Sequence, residues 1–212
     1  MPPRKGQSQA RGLLRRQQIL DASLDLFAAN GIRSTSLATI ADAVGLTEAG
    51  VLHHFPSKDA LVLAVLAHRD SADPDAEADV AQAGSGLESL RRIPRLAQVL
   101  LDRPVLMRFD SVVGGESIAE GGAVLDYFRD RMRHIRHALC GMLNDGIHRG
   151  ELRKDMDVEG VATEIVAFMD GIQTQWLLDP RRIDLVKAYH RYFGNLASQL
   201  QRSPGHDRKR RR

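Results

Sequence analysis

The sequence has little of several residue types on which large functional classes depend. Aromatic residues make up only 5% of its 212 residues, so Leu, Ala, Val and Ile must supply most of a core. A single cysteine, Cys140, excludes an intramolecular disulfide and a cysteine-based zinc cluster, which makes a reduced, cytoplasmic setting the expectation. No apolar run approaches the roughly 20 residues of a membrane span, and residues 1–16 lack the hydrophobic stretch of a secretory signal. No membrane partner is therefore expected.

Sequence motifs of catalysis are also missing. There is no nucleophile elbow, paired-carboxylate motif or phosphate-binding loop, and Gly84-Ser85-Gly86 lacks the spacing that such a loop needs. His53 and His54 are adjacent, so on a helix they do not face one way, and no carboxylate stands at ligand spacing from them. Neither an enzyme, a cofactor nor a metal site is expected.

Charge is unevenly distributed along the chain. Residues 1–58 carry seven Lys/Arg against four Asp/Glu, residues 59–201 carry 17 against 22, and residues 202–212 carry six against one. Basic ends around an acidic body are compatible with a polyanionic partner.

The periodicity of apolar residues is helical throughout, and no run has the alternation of a strand, so the predicted fold class is all-α. The sequence does not decide whether residues 70–86 extend the preceding helix or form a linker. Gly114-Gly115 and Gly121-Gly122 are expected to frame a loop. The predicted helices span residues 11–30, 36–43, 47–54, 58–69, 87–103, 104–113, 123–149, 158–178 and 183–200.

Two of the short helices form a recognisable pair over residues 36–55. Ser36 and Thr47 are the expected N-caps, and Gly45 supplies the tight turn between the helices. In such a helix-turn-helix the second helix enters the DNA major groove by its N-terminal end, which needs small or polar residues there. Val51 and Phe55 are expected to point to the core.

The last two helices carry more apolar surface than one neighbour can cover. This favours self-association through a helical bundle, whereas the alternative is that the long helix of residues 123–149 covers both faces.

The helix-turn-helix segment resembles the TetR family of bacterial transcriptional regulators over about residues 13–73. The resemblance is carried by Ile40-Ala41-x-Ala43-x-Gly45-Leu46-Thr47, by the run from Leu52-His53-His54-Phe55-Pro56 to Leu61, and by Ile19-Leu20-Asp21-Ala22 with Leu26-Phe27-Ala28 upstream. The run from Asp170-Gly171 to Asp179-Pro180 is similar to many actinobacterial members.

The resemblance implies a homodimer with an N-terminal three-helix helix-turn-helix domain and a C-terminal helical domain for ligand binding and dimerisation. The implied division is a disordered basic arm (1–12), the DNA-binding domain (13–73), the ligand-binding and dimerisation domain (74–202) and a disordered basic tail (203–212). The implied DNA-binding residues are Arg33, Ser36, Thr39, Thr47, Glu48, Ala49, Gly50, Leu52, His53, His54 and Lys58.

Two of these positions depart from the pattern of the family. Leu52 replaces the usual Tyr, so one hydrogen bond to phosphate should be missing. Glu48 stands where Lys or Gln is frequent, and its acid either accepts from cytosine N4 or points to solvent.

Family resemblance and amphipathic phase together suggest residues for two further surfaces. The candidates for a ligand pocket are Met107, Phe109, Glu116, Tyr127, Phe128, Phe168, Gln173 and Trp176. The candidates for a dimer interface are Ile165, Met169, Ile172, Val186, Tyr189, Phe193 and Leu196.

The function implied is a sequence-specific repressor that binds double-stranded operator DNA as a dimer and leaves it on binding an unknown small-molecule effector. The alternative is a DNA-binding regulator that acts without a ligand.

Overall fold

The structure is a computed structural model that describes residues 5–71 and 86–202. Across these residues it contains helices and no strand, apart from an isolated antiparallel bridge between Leu152 and Gln201. The all-α prediction is therefore confirmed. The expectations for the first four residues, for most of the 70–86 segment and for the tail at 203–212 lie outside the described residues.

Four helices form the N-terminal part. The first begins at Lys5, earlier than the predicted Arg11, and is interrupted at Gly31, where φ is 79° and ψ is 166°. The interruption directly follows residue 30, where the sequence predicted the helix to end, because glycine adopts positive φ without steric cost. The four helices are α1 (Lys5–Ser34), α2 (Leu37–Ala43), α3 (Glu48–His54) and α4 (Lys58–Ser71).

Six more helices follow the gap in the described chain. The predicted helix over residues 87–103 is divided in two by a single 3-10 turn, Ile93–Arg95, because Pro94 has no N–H to donate within a helix. Pro104 opens the next helix, as its missing N–H permits. The helices are α5 (Gly86–Arg92), α6 (Leu96–Asp102), α7 (Pro104–Glu120), α8 (Gly122–His148), α9 (Val158–Leu178) and α10 (Leu185–Leu200).

The predicted loop after Val113 is wrong, because α7 continues through Gly114-Gly115 to Glu120. A glycine inside a helix costs about 1 kcal/mol relative to alanine. Val113 and Ser117, on either side of the pair, are both buried, and burying an aliphatic side chain contributes about 1.5–3 kcal/mol. Packing of α7 thus outweighs the low helix propensity of its glycines. The helix ends only at Gly121 and Gly122, both of which have positive φ.

The chain divides into two compact units. The N-terminal unit comprises α1–α4 together with Pro104–Tyr127, and the C-terminal unit comprises α5, the 3-10 turn, α6, and the chain from Phe128 onward with α9 and α10. The sequence had placed residues 104–127 with the second domain. In the structure this segment packs with the N-terminal helices instead.

Each unit has its own apolar core. In the N-terminal unit the most fully buried side chains include Ile19, Phe27, Ile40, Val51, Leu61, Met107 and Phe109. In the C-terminal unit they include Leu90, Ile93, Leu143, Ile165, Tyr189 and Phe193. Four of these thirteen residues are aromatic, so non-aromatic apolar side chains supply most of both cores.

Candidate DNA-binding surface

The start of α2 is fixed by a side-chain cap. The Thr39 N–H donates to Ser36 Oγ at 3.0 Å, and the two hydroxyls lie 2.8 Å apart. Such a cap satisfies an N–H that has no partner within the helix. Ile40 and Ala41 are buried on the opposite side, which leaves Ser36 and Thr39 exposed together at one end of the helix.

The turn between α2 and α3 depends on Gly45, whose φ is 65°. The Leu46 N–H donates to the Ala41 carbonyl at 2.9 Å and closes the turn. From α1, the Arg15 guanidinium donates to the Val44 carbonyl at 3.2 Å. The helix-turn-helix is therefore held from outside as well as by its own turn.

The exposed end of α3 consists of small and polar residues. Thr47 accepts a hydrogen bond from the Gly50 N–H at 3.1 Å, and Thr47, Glu48 and Ala49 are all exposed. Val51 and Phe55 are buried, as predicted from the helical phase. The N-terminal turn of α3 therefore projects from the unit with no bulky side chain in the way.

Basic and hydrogen-bonding groups lie in the last turn of α3 and at the start of α4. His53 is exposed, His54 and Lys58 are half-buried, and Ser57 accepts from the Ala60 N–H at 3.1 Å at the start of α4. Burial lowers the pKa of His54, and the neighbouring His53, Arg15 and Arg16 lower it further. His54 is therefore neutral at neutral pH, when it can still donate one ring N–H to a phosphate oxygen.

The predicted DNA-binding residues that remain are also accessible. Leu52 is 40% exposed, beside His53, and Gly50 is half-buried within the first turn of α3. Arg33 is exposed at the end of α1, where its guanidinium lies 3.7 Å from the Glu120 carboxylate. The structure thus brings all eleven positions to the ends and outer sides of α1–α4; their contact with DNA stays a prediction.

Sequence reasoning missed two arginines that belong to the same neighbourhood. Arg16 lies over the Phe55 ring, with 4.8 Å between the guanidinium carbon and the ring centroid, and Arg15 holds the turn at Val44. The helical period of α1 could have predicted that both arginines lie on the face turned toward the helix-turn-helix. It could not have predicted which groups they contact, since those groups lie at least 29 residues away in the chain.

The eight candidates for a ligand pocket are divided between the two units. Met107 and Phe109 are buried in the N-terminal unit, where Tyr127 Oη also donates to the Leu66 carbonyl at 3.4 Å. Glu116 is engaged by two backbone N–H groups of the same unit, those of Ile32 and Arg33.

The other four pocket candidates lie in the C-terminal unit. Phe168 stacks on Tyr192 with centroids 3.8 Å apart, and Gln173 Nε2 donates to Tyr189 Oη at 3.1 Å. Phe128 is buried and Trp176 is half-buried. A pocket formed by these residues stays a prediction.

Four of the seven residues predicted for the dimer interface are buried in the core of their own chain. Ile165, Tyr189, Phe193 and Leu196 are buried within the C-terminal unit. Met169, Ile172 and Val186 are half-buried. The four buried side chains therefore belong to the core of the unit. An interface that includes Met169, Ile172 and Val186 stays a prediction.

Other kinds of site can be surveyed over the described ranges only. Among residues 9–70 and 86–202 no group of three or more His, Cys, Asp or Glu side chains could hold a metal ion. None of the helices described is both long and apolar enough to cross a membrane. Cys140 is half-buried near the Val158 carbonyl, and burial raises the pKa of its thiol, which makes it a poor nucleophile at neutral pH.

The fold and the exposed α3 are those of a helical regulator with an N-terminal helix-turn-helix. Matches to family models identify the protein family. The model described as "Bacterial regulatory proteins, tetR family" matches residues 19–65, and the model described as "BetI-type transcriptional repressor, C-terminal" matches residues 122–201. The chain belongs to the TetR family and is a DNA-binding transcriptional regulator.

Characterised relatives share most of the chain at modest identity. The HTH-type transcriptional regulator TtgR of Pseudomonas putida is 26% identical over 203 residues, covering 89% of this chain and 92% of its own. The HTH-type transcriptional repressor KstR2 of Mycobacterium tuberculosis is 28% identical over 155 residues, covering 68% of this chain and 72% of its own. A crystal structure of Bacillus subtilis FadR in complex with stearoyl-CoA has a TM-score of 0.74 at 20% identity, covering 87% of this chain and 98% of that one. That likeness supports the fold.

Proposed function

We propose that this protein is a dimeric repressor that binds a palindromic operator and leaves it when a small organic effector binds. The observation that carries the DNA-binding half is the projecting N-terminal turn of α3, capped by Thr47 and lined by small side chains. A recognition helix must approach base edges closely, and only small or polar residues allow this. One such helix in each protomer would read one half-site.

The flanking groups suit the phosphate backbone. Lys58 at the start of α4 and the ring N–H of His54 would contact phosphates on the sides of the groove. Phosphate contacts fix the register of the protein on DNA, and contacts to base edges supply specificity. The Glu48 carboxylate, exposed in the first turn of α3, would accept from cytosine N4.

Dimerisation would use the exposed sides of α9 and α10. Gly171 and Gly194 lie on those sides with no atom within 4 Å of a Cβ placed on either residue, so a second copy could approach closely. Leu178, at the end of α9, is 75% exposed and would gain a partner there. We place the protein in the cytoplasm, where its DNA is, and assign it no catalytic activity.

The effector half of the proposal has support from a structural relative. The Bacillus subtilis FadR structure, which has the same fold, was solved in complex with stearoyl-CoA. Stearoyl-CoA is therefore the first probe to add to a preformed complex with DNA. An effector works by binding one conformer better, and a coupling of about 1–3 kcal/mol changes operator affinity by roughly 5–150-fold.

The test is fluorescence anisotropy of the purified protein with its own upstream promoter DNA and with a scrambled duplex, each at two salt concentrations. Selective binding with two protomers per site supports the proposal. Equal binding to both duplexes that disappears with salt would mean that only non-specific phosphate contacts are present.

A substitution in α3 localises the recognition surface. Ala49→Tyr places a bulky side chain at the exposed end of α3 and should abolish selective binding while the protein stays folded. Ala67→Tyr, at an exposed position well along α4, is the matched control and should bind as the wild type does. Normal operator binding by the Ala49 variant would contradict the groove assignment.

A further inference from the structure

The end of α1 contains a turn whose backbone is held by a side chain from α7. At Gly31 the chain leaves the helix, and residues 32–34 resume helical geometry. The first N–H groups after such an interruption have no acceptor within their own helix. Here the Ile32 N–H donates to Glu116 Oε2 at 2.7 Å and the Arg33 N–H donates to Glu116 Oε1 at 2.8 Å. One carboxylate thus satisfies two backbone donors at once.

The approach of this carboxylate requires the glycine. A Cβ at position 31 would lie 2.9 Å from Glu116 Oε2, closer than real contacts allow, and φ there is positive. Gly31 therefore serves both the change of chain direction and the contact with α7. Hydrogen bonds to an ionised acceptor are about twice as strong as bonds between neutral groups.

The clamped turn is directly connected to the helix-turn-helix. Thr35 is buried, its hydroxyl donates to the Gly31 carbonyl at 2.8 Å, and its N–H donates to the Ile32 carbonyl at 3.3 Å. The next residue is Ser36, the N-cap of α2. Only Ser34 and Thr35 lie between the Glu116 contact at Arg33 and the N-cap of α2, and Thr35 is held by both hydrogen bonds, so a shift of the turn is passed on to α2.

A second contact fixes α7 to the other end of the N-terminal helices. The Arg69 guanidinium, largely buried near the end of α4, forms two hydrogen bonds with the Asp110 carboxylate of α7, one of them 3.0 Å long. Burial opposes the charge on Arg69, but Asp110 more than compensates and raises the pKa of Arg69. α7 is therefore attached both before α2 and after α3.

We infer that Glu116 is a positioning residue for DNA binding. Its carboxylate holds the turn at residues 32–33, and thereby α2 and α3, in the arrangement that fits the groove, without itself contacting DNA. This inference rests on the proposed recognition role of α3. It gives Glu116 a different task from the predicted lining of a ligand pocket, since both carboxylate oxygens already accept backbone hydrogen bonds.

The decisive variant is Glu116→Gln, which keeps the shape of the side chain but removes the charge and one of the two acceptors. We expect operator affinity to fall about tenfold with no change in the dimer's mass. The matched control is Glu120→Gln, one turn further along α7, where the carboxylate makes only an exposed ion pair with Arg33. This control should bind operator nearly as the wild type does, since exposed pairs contribute little.

A second readout separates positioning from general stability. Hydrogen exchange in the free protein should accelerate at the Ile32 and Arg33 amides in Glu116→Gln while the α4 amides keep their protection. Glu116→Asp, which keeps the charge but shortens the reach by one methylene, should behave like Glu116→Gln. Accelerated exchange at these two amides with unchanged operator affinity would overturn the inference. Failure of the wild type to select its promoter would instead count against the proposed function.

Discussion

His54 shows how the surroundings of one residue can couple DNA binding to pH. Burial, His53 and the two arginines of α1 all disfavour its charged form and lower its pKa. The free protein therefore carries a neutral His54 at neutral pH. A phosphate oxygen beside the ring would favour the protonated form of His54 in the DNA complex, so operator binding would be coupled to uptake of a proton by His54.

We predict that operator affinity rises as the pH falls from about 7.5 to about 5.5, and that His54→Gln removes part of this rise. The reason is that protonation adds a charge-assisted hydrogen bond to phosphate. Anisotropy titrations at a series of pH values measure the effect. The control is His137→Gln, an exposed histidine of α8 outside the proposed interface, which should leave the pH profile unchanged. Parallel profiles for the wild type and the His54 variant would place His54 away from phosphate.

The residue-level expectations that succeeded concern caps and helical phase. Ser36 and Thr47, the predicted N-caps, each accept an N–H three residues further on, and Ser57 does the same at the start of α4. Val51 and Phe55 are buried because α3 has a single inward side. These properties depend on residues within one or two turns, so a sequence pattern can predict them.

At the scale of elements, the predicted helix boundaries were accurate where nearby residues determine them and inaccurate where packing against distant segments does. α9 and α10 lie close to their predicted ranges, because Asp157 and Asp184 cap their starts and their stripes are regular. α7 was predicted too short, because its glycine pair suggested a break whereas packing of Val113 and Ser117 keeps it helical. Propensity is a weak prior that tertiary packing overrides.

Helices α5 and α8 approach each other closely at Gly86 in the C-terminal unit. A Cβ on Gly86 would lie 2.5 Å from the Met142 carbonyl oxygen and 2.7 Å from the Gly146 Cα. Both obstacles are backbone atoms, which cannot rotate away.

Gly86→Ala should therefore lower the free energy of unfolding by about 1–3 kcal/mol, since the two helices must separate to admit the methyl group. Urea unfolding followed by circular dichroism measures the change. The control is Gly141→Ala in α8, where a Cβ meets no atom within 4 Å, and it should be neutral or stabilising by up to about 1 kcal/mol. Equal stability of the Gly86 variant and the wild type would contradict this close crossing.

For the whole molecule, the proposed dimer is the feature on which operator recognition would depend. Two half-sites are read together only when two recognition helices are held at a fixed separation. The sequence predicted the dimer interface on the apolar faces of the last two helices. The structure buries four of the seven residues predicted there within one chain, so the interface proposed here uses the outer sides of α9 and α10.

Gly194→Arg should convert the dimer to a monomer, because a long charged side chain would stand where the second copy approaches. Size-exclusion chromatography with light scattering measures the mass, and anisotropy should show loss of selective operator binding. Gly141→Arg, an equally open site on α8, is the control and should stay dimeric. A dimeric Gly194→Arg protein would exclude this side of α10 from the interface.

The sequence by itself determined the helical class, the helix-turn-helix with its caps, and the resemblance to the TetR family. Each depends on residue types at fixed short spacings, which act within a few turns of chain. Only the tertiary structure decided that α7 packs with the DNA-binding helices and that Glu116 clamps a turn 84 residues earlier in the chain. It also decided which side of α9 and α10 faces inward. Such contacts arise from the packing of distant segments, and the local pattern of each segment is compatible with several partners.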